Sequence, residues 1–391
     1  MTKILIVFLS LYISAFGVSY KTFKKHSLKY AKVLQSQALN VQKTEYENNI
    51  ALRTPNPTLA IEAGQYDVKG QDHTYGYSIS ASQKVRTSSY LDALQTQSQA
   101  KSILSKAYAY NGKAQYMKNM EESYTQYVYQ SKLLSLLQEE YKLSKKMTHI
   151  AKERYTNGSE TKVAYLQAKT ESMRLKTQMF GSKQTMKRLY YRLLAMGGYT
   201  KKIKLSKKFI YPIGSKNKKQ RTKNSQQKIL QAKEQLLQAQ LQMQQSTFSS
   251  YEISAGIEKE PEQSILRLGV SIPLPLRHNK EEEKALARLK LKQLKLDQGQ
   301  LQLDLKSQKQ SIHSALNELH LQYYALKALK TEQQSLANLL KEGYEIAQGS
   351  LFELMLAKNR LIQTKKSLLQ TQMQLNQQHI ALHILQGAYN D

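Results

Sequence analysis

Few residues of this 391-residue sequence have the types and spacing that chemistry requires. His379 and His383 are four positions apart, so on a helix both imidazoles would lie on one side and could hold a metal ion. Position 380 is Ile380, however, so the His-Glu pattern of zinc proteases is absent, and no further ligand is evident. The two histidines are therefore weak metal candidates, and we predict no resident metal and no cofactor.

Enzyme chemistry finds no support elsewhere in the sequence. No phosphate-binding glycine loop, Ser–His–Asp signature or paired-acid motif stands out. The chain contains no Cys, which excludes disulfides, thiolate metal sites, a cysteine nucleophile and a lipidated N-terminal Cys. We predict that the protein is not an enzyme.

Positive charge is the most prominent feature of the composition. Lys and Arg number 59 against 29 Asp and Glu, a formal net charge of +30, which suggests nucleic acid or an anionic membrane surface as a partner. The segment Lys201–Lys223 is rich in Lys and Arg and contains no acid. Only Phe209 and Tyr211 could stack on bases there, so a solvated linker is favoured over a nucleic-acid site.

Residues 1–17 have the pattern of a secretory signal peptide. Lys3 precedes the apolar run Ile4–Phe16, and Ala15 and Gly17 are small residues suited to cleavage. The run is shorter than the roughly 20 residues of a spanning helix, and a short N-terminal anchor is the alternative. No later stretch is apolar enough to span a bilayer as a helix. We therefore expect an exported chain.

The rest of the chain predicts a fold class that is mainly α with a small β part. Ser88–Arg154 and Glu281–Ile346 lack Pro and are rich in good helix formers, so each is expected to form a helix of about 100 Å. Leucines in the second segment recur at steps typical of a coiled coil. Alternating apolar and polar residues predict four strands, at about 58–67, 75–85, 251–259 and 266–274.

The two halves of the sequence repeat. Ile79-Ser80-Ala81 corresponds to Val270-Ser271-Ile272, and Tyr155 and Thr161 correspond to Tyr344 and Ser350. Each half is therefore expected to contain a helix, a β-hairpin, a very long helix, a tight turn and a shorter helix. The predicted parts are a first repeat at 18–200 with its long helix at about 88–154, a basic linker or equatorial segment at 201–223, and a second repeat at 224–391 with its long helix at about 281–346.

The predicted strands suit a membrane pore. They have one apolar face and one small or polar face, and their length fits transmembrane β-strands. Four strands cannot close a barrel, which takes about eight, so several chains would have to combine. The alternative is a periplasmic coiled-coil interaction protein with two hairpins, and a nucleic-acid binder is a third hypothesis.

In this order the motifs resemble those of the TolC-like outer-membrane efflux proteins, over essentially the whole mature chain. The matching segments are Asn56-Pro57-Thr58-Leu59, Ser82-Gln83, Gly269-Val270-Ser271-Ile272-Pro273-Leu274-Pro275-Leu276 with Arg277-His278-Asn279, and a Tyr-x-x-Gly/Ala-x-x-Ser/Thr turn at Tyr155–Thr161 and at Tyr344–Ser350. The Ser-Ile-Pro-Leu-Pro-Leu-Arg form is similar to the CzcC-like heavy-metal-efflux branch. Lys84 departs from the family, which usually has Pro there.

The resemblance implies a homotrimer. Three chains would build a twelve-stranded barrel in the lipid of the outer membrane and a long α-helical tunnel across the periplasm. Such a protein is a passive exit duct that docks a periplasmic adaptor protein and an inner-membrane RND-type pump, with no nucleic acid involved. Heavy-metal cations are the favoured cargo, and drug efflux or type I secretion through the same fold are the alternatives.

The resemblance also places the functional residues. The helix turns would form a periplasmic tip that contacts the adaptor, through Tyr155, Gly158, Thr161, Tyr344, Ala347 and Ser350. Glu353 would form a carboxylate ring at a closed tip, selective for cations, although Leu356 stands where a second acid is expected and a solvated Glu is the simpler alternative. The barrel–helix junction would lie at Ser82, Gln83, Pro273 and Pro275.

Overall fold

The computed structural model describes residues 17–67, 73–215, 223–245, 248–260, 262–274, 279–346 and 348–389. The predicted signal peptide, apart from Gly17, lies outside these residues. So do positions 216–222 of the basic segment, Pro275 of the predicted junction and Ala347 of the second turn.

Helices account for most of the described chain, and the prediction of a mainly α fold with a small β part is confirmed. In chain order the elements are α1 (Tyr20–Tyr30), α2 (Lys32–Leu52), β1 (Thr58–Tyr66), β2 (Thr74–Arg86), α3 (Ser88–Thr156), α4 (Lys162–Met196), α5 (Ser225–Gln245), β3 (Ser250–Lys259), β4 (Ser264–Ser271), α6 (Glu281–Glu345) and α7 (Leu351–Leu385).

Two of the helices are exceptionally long. Helix α3 has 69 residues and α6 has 65, so each rises about 100 Å. Neither contains Pro, and both consist largely of residues that lose little conformational freedom in a helix. Within the described residues, no helix has a stretch that is both long and apolar enough to cross a membrane.

The four strands form one antiparallel sheet in the order β1-β2-β3-β4. The sequence predicted two hairpins, and the structure joins them, because β2 pairs with β1 on one side and with β3 on the other. Ser82 is the partner of Thr58, where β1 begins, but β2 continues along β3 until Arg86 pairs with Ser250. The inner strand is therefore longer than the edge strand beside it.

One face of the sheet presents a continuous apolar surface. Ile61, Ile79, Ile257 and Leu266 pair in one row across all four strands, and neighbouring rows are also largely apolar. These side chains are exposed in the single chain, from 44% for Ile79 to 79% for Leu268. The opposite face carries small and polar groups, among them the ion pair of Arg267 with Glu258.

The chain divides into two compact units. The helical unit comprises the described residues of Met1–Ser36, Gly112–Asn224 and Asp304–Asp391, and the sheet unit those of Gln37–Asn111 and Ser225–Leu303. The sheet unit contains all four strands. The largest apolar cluster lies in the helical unit, where α1, α3 and α4 bury Phe23, Met120, Tyr124 and Leu193.

The described part of the basic segment belongs to that cluster. Leu205 is buried, and Ile203, Phe209 and Ile210 pack against the same core. The interpretation of residues 201–215 as a solvated linker is therefore wrong, because apolar side chains interleave with the lysines and anchor the segment.

Candidate functional site

The first helix turn is built around a glycine. Helix α3 ends at Thr156, and Gly158 has a φ of +75°, a conformation that other L-residues adopt only with strain. The amide of Ser159 donates to the carbonyl of Arg154 at 2.9 Å, which closes the helix end. Thr161 then caps α4, because its hydroxyl accepts from the amide of Ala164 at 3.1 Å. Gly and Thr are residue types that these two positions favour.

The second turn lacks that capping bond. Ser350 occupies the N-cap position of α7, but its side chain makes no cap hydrogen bond. The amide of Gln348 donates to the carbonyl of Gly343 at 2.9 Å and closes the end of α6. Gly349 permits this tight path, because a Cβ atom there would lie 2.8 Å from the amide nitrogen of Tyr344. The two turns are therefore related in sequence but closed by different contacts.

A contact that the sequence does not reveal joins the two turns. The guanidinium of Arg154 lies 4.1 Å from the ring centroid of Tyr344 and donates to that residue's carbonyl at 2.5 Å and to the carbonyl of Glu345 at 3.5 Å. Tyr344 is fully buried. The positive charge therefore lies where α6 exposes its last carbonyl groups, a favourable position for a cation. No local sequence signal marks Arg154 for this role.

The two motif tyrosines are not equivalent. Tyr344 belongs to an apolar cluster between the helix ends, with Met147, Ala151, Ala168, Leu351 and Leu354 as the other buried members. Tyr155 is 38% exposed and its ring stacks on Tyr165 of α4, with centroids 6.1 Å apart. Tyr344 therefore connects the two helical hairpins, whereas Tyr155 contacts its own hairpin.

Glu353 lies in the first turn of α7 and is exposed. A carboxylate is favourable there because it faces the unpaired amides of the helix start. Within the described part of the chain, no basic group forms an ion pair with it. Its neighbours Phe352 and Leu356 are also exposed, at 61% and 42%. Glu353 is therefore a charged group between exposed apolar side chains in the single chain.

A small crevice near these turns holds a buried ammonium group. Lys358 lines a cavity of about 30 Å³ with Met147, Leu175 and Met355. Among the described residues its Nζ atom has no hydrogen-bond partner. The pKa of Lys358 is lowered to about 8, chiefly by burial, and the nearby Glu140 opposes this shift. The carboxylate of Glu140 pairs instead with Lys365, whose Nζ atom lies 3.0 Å away.

The predicted metal candidates belong to a buried polar cluster, which we call the Glu121 cluster. Glu121 is 1% exposed and accepts hydrogen bonds from the hydroxyls of Tyr20, Tyr389 and Tyr211, the last at 3.3 Å. His383 Nδ1 lies 3.0 Å from the hydroxyl of Tyr211.

His379 stacks on the ring of Tyr211, with centroids 5.2 Å apart. The pKa of His379 is lowered to about 4, chiefly by burial and also by the neighbouring His383 and His320. In the described chain, no group of three or more His, Cys, Asp or Glu side chains could hold a metal ion. The cluster ties an N-terminal, a central and a C-terminal segment to α3, and both histidines pack on Tyr211 within it.

The predicted barrel–helix junction lies partly inside a strand. Ser82 and Gln83 belong to β2, which runs four and three residues further to Arg86 before α3 begins at Ser88. Gln83 holds the chain entering β1, because its amide donates to the carbonyl of Pro55 at 2.9 Å. Pro273 lies just beyond the end of β4, where a missing backbone donor leaves no ladder bond unmade.

Solved structures share this arrangement over nearly the whole chain. The outer membrane protein VceC from Vibrio cholerae has a TM-score of 0.77 and 12% identity, covering 94% of this chain and 95% of its own. The outer membrane channel CmeC of Campylobacter jejuni has a TM-score of 0.77 and 13% identity, and the match covers 94% of this chain and 85% of CmeC. The open state of the MtrE outer membrane channel of Neisseria gonorrhoeae has a TM-score of 0.73 and 13% identity, and the match covers 93% of this chain and 88% of MtrE.

No protein-family model matches the chain, and no curated protein sequence does. At 12–13% identity the likeness concerns the fold. The long helices, the joined four-stranded sheet and the paired helix turns are thus a fold that this chain shares with solved outer-membrane channels. The chain has the TolC-like channel fold.

Proposed function

We propose that this protein is the outer-membrane exit duct of a tripartite efflux system. The observation that carries the proposal is the exposed apolar face of the four-stranded sheet, on a chain with a channel fold. Side chains such as Leu266 and Leu268, 70% and 79% exposed, would be costly in water over so large a contiguous area. In lipid the same face is satisfied, while the small and polar face lines a lumen.

Closure of the sheet favours several copies. Strands β1 and β4 are the edges of the sheet and each has one side unpaired within the described chain. Unpaired edges cannot face lipid, because their backbone groups would lack hydrogen-bond partners. Joining β4 of one copy to β1 of the next removes every edge. Three copies give twelve strands, the number that the resemblance implies, so the proposed assembly is a homotrimer.

The helical unit would then form the periplasmic part of the duct. The turn residues Tyr155, Gly158, Thr161, Tyr344, Ala347 and Ser350 are proposed to contact a periplasmic adaptor protein, and an inner-membrane RND-type pump would supply the energy. Glu353 would contribute one carboxylate of a ring at the tip. Support comes from the positions of the described turn residues at two adjacent helix ends, linked by Arg154.

Cargo is the finer part of the proposal. Heavy-metal cations are favoured because the segment from Ser271 to Arg277 is similar to the CzcC-like branch. Drug efflux and type I secretion are the alternatives. Deletion of the gene should raise sensitivity to zinc, cobalt or copper. Unchanged metal tolerance together with lost dye or antibiotic resistance would contradict the metal assignment and leave the duct intact.

Cell fractionation with native mass spectrometry tests the duct itself. The protein should sediment with outer membranes, and after mild detergent extraction it should have the mass of three chains. Recovery in the soluble fraction, or as a monomer from membranes, would contradict the proposal and favour a periplasmic coiled-coil protein.

A further inference from the structure

The basic segment forms one wall of an open groove in the helical unit. The groove has a volume of about 750 Å³, the size of a pocket for a drug-sized molecule or a few sugar rings. It is lined by Lys187, Lys204, Lys207, Lys208, Tyr127 and Tyr191, with Tyr190, Ile203 and Met186 among the further contacts. No acidic side chain of the described residues lines it.

Backbone contacts hold this wall in place. The amide of Val18 donates to the carbonyl of Lys204 at 2.6 Å, and the amide of Ser206 donates to the carbonyl of Val18 at 3.0 Å. The hydroxyl of Tyr190 donates to the carbonyl of Ile203 at 2.7 Å and accepts from its amide at 3.0 Å. Leu205, between the lysines, is buried. The groove is therefore a fixed feature of the fold and not a chance arrangement of surface chains.

The charge of the groove is not neutralised within the described chain. Lys187, Lys204, Lys207 and Lys208 are exposed, and none of them pairs with a carboxylate of the residues that the structure describes. Several like charges along one concavity create a positive potential that attracts anions.

Tyrosine rings supply the other half of the surface. Tyr191 is 51% exposed, its ring centroid lies 5.3 Å from that of Tyr190, and Tyr190 is 6.2 Å from Tyr127. Such rings offer flat apolar faces next to a polar hydroxyl. Lysines beside tyrosine faces suit a ligand that combines carboxylates with sugar rings, whose C–H faces pack on aromatic rings.

We propose that this groove binds the cell-wall peptidoglycan, whose stem peptides carry free carboxylates beside its sugar rings. The choice of this source rests on the proposed function, which puts the helical unit in the periplasm and away from nucleic acid. A lipid surface fits less well, because the groove belongs to the unit without the apolar sheet face. The interaction would fix the duct in the cell wall.

Co-sedimentation of the purified full-length protein with insoluble peptidoglycan sacculi tests the proposal. Lys204→Gln, Lys207→Gln and Lys208→Gln together should reduce binding by about tenfold or more, and added salt should weaken wild-type binding. The control carries Lys306→Gln, Lys309→Gln and Lys327→Gln, which removes the same charge from exposed positions of α6 in the helical unit. It should bind like the wild type.

A neutral substitution separates recognition from bulk charge. Tyr191→Ser should also weaken binding to sacculi although the net charge is unchanged. Equal binding by all variants, or equal loss in the two triple variants, would overturn the proposal. The same variants are also tested for binding to anionic phospholipid vesicles and to DNA. If the groove substitutions weaken binding only to vesicles, or only to DNA, the proposal is overturned in favour of that partner. The trimer mass of each preparation shows separately whether the duct proposal holds.

Discussion

The side chain of Arg154 reaches from the end of one long helix to Tyr344 at the end of the other, 190 residues away in sequence. Its guanidinium lies over the ring and on the last carbonyls of α6. The guanidinium covers the buried ring and binds the carbonyl of the same residue, so a substitution of Arg154 removes both interactions at once. We therefore regard it as a contact that, with the apolar cluster around Tyr344, keeps the two helical hairpins of one chain together at the turns.

Loss of this contact should loosen the tip of the proposed duct. Arg154→Gln removes the charge and leaves the helix-end carbonyls uncovered, so the variant should show more frequent or larger openings in planar bilayers. Cells carrying it should take up large antibiotics more readily. Lys152→Gln makes the same charge change two positions away on an exposed site and should behave like the wild type. Equal conductance of both variants would refute this role.

Glycine at the first turn should be required for its backbone conformation. Gly158→Ala forces a Cβ atom onto a φ of +75° and should lower the free energy of unfolding by about 1 kcal/mol. Gly181→Ala is the matched control, because Gly181 lies inside α4 and an added Cβ atom would meet no heavy atom within 4 Å at either glycine. That variant should gain roughly 0.5–1 kcal/mol. Denaturant unfolding measures both, and effects of the same sign would contradict the argument.

The Glu121 cluster should stabilise the fold through its carboxylate. Glu121→Gln replaces an acceptor for three hydroxyls with one acceptor oxygen and an NH₂ group that faces donors, so we expect a loss of about 1–3 kcal/mol. Glu122→Gln breaks only a partly exposed pair with Lys118 and should change stability by less than about 0.5 kcal/mol. Equal thermal unfolding of the two variants would show that the cluster contributes little.

Two lysines of α7 should have opposite effects on stability. The folded state favours the neutral form of Lys358, so its charge costs free energy below pH 8, and that cost disappears as the pH rises from about 8 towards 10.5. Lys358→Met should therefore stabilise the protein at pH 7, by about 1–2 kcal/mol after allowance for solvent screening.

Lys365→Met provides the contrast. It leaves the buried carboxylate of Glu140 without its partner at 3.0 Å and should destabilise by about 3 kcal/mol. Unfolding curves at pH 7 and pH 10 measure both variants. A Lys358→Met variant that keeps the wild-type rise in stability above pH 8 would assign that rise to another group.

Local sequence patterns account for the elements but not for the contacts between them. The absence of Pro from two long segments predicts α3 and α6, and the alternation of apolar and polar residues predicts the strands. Both signals depend on residues that are close in sequence. Gly158 and Thr161 stand at a helix end and a helix start, the places that Gly and Thr favour by their own local chemistry. The pairing of β2 with β3 was not, since their residues are more than 160 positions apart and either hairpin could stand alone in the pattern.

The polar contacts show the same limit more sharply. Glu121 stands beside Glu122 in the sequence, and nothing local distinguishes the buried carboxylate from the partly exposed one. Three tyrosines from remote segments decide the difference. The interpretation of the basic segment as a solvated linker was wrong for a related reason. Lysines dominate its composition, but a few apolar residues between them pack against the core of the helical unit.

The central claim is that this chain forms a transmembrane channel, and current through the purified full-length protein in a planar lipid bilayer tests it most directly. We expect discrete, uniform current steps, with larger or longer openings for Arg154→Gln. A correctly folded protein that inserts into the bilayer but produces no steps, in the wild type and in Arg154→Gln alike, would contradict the claim.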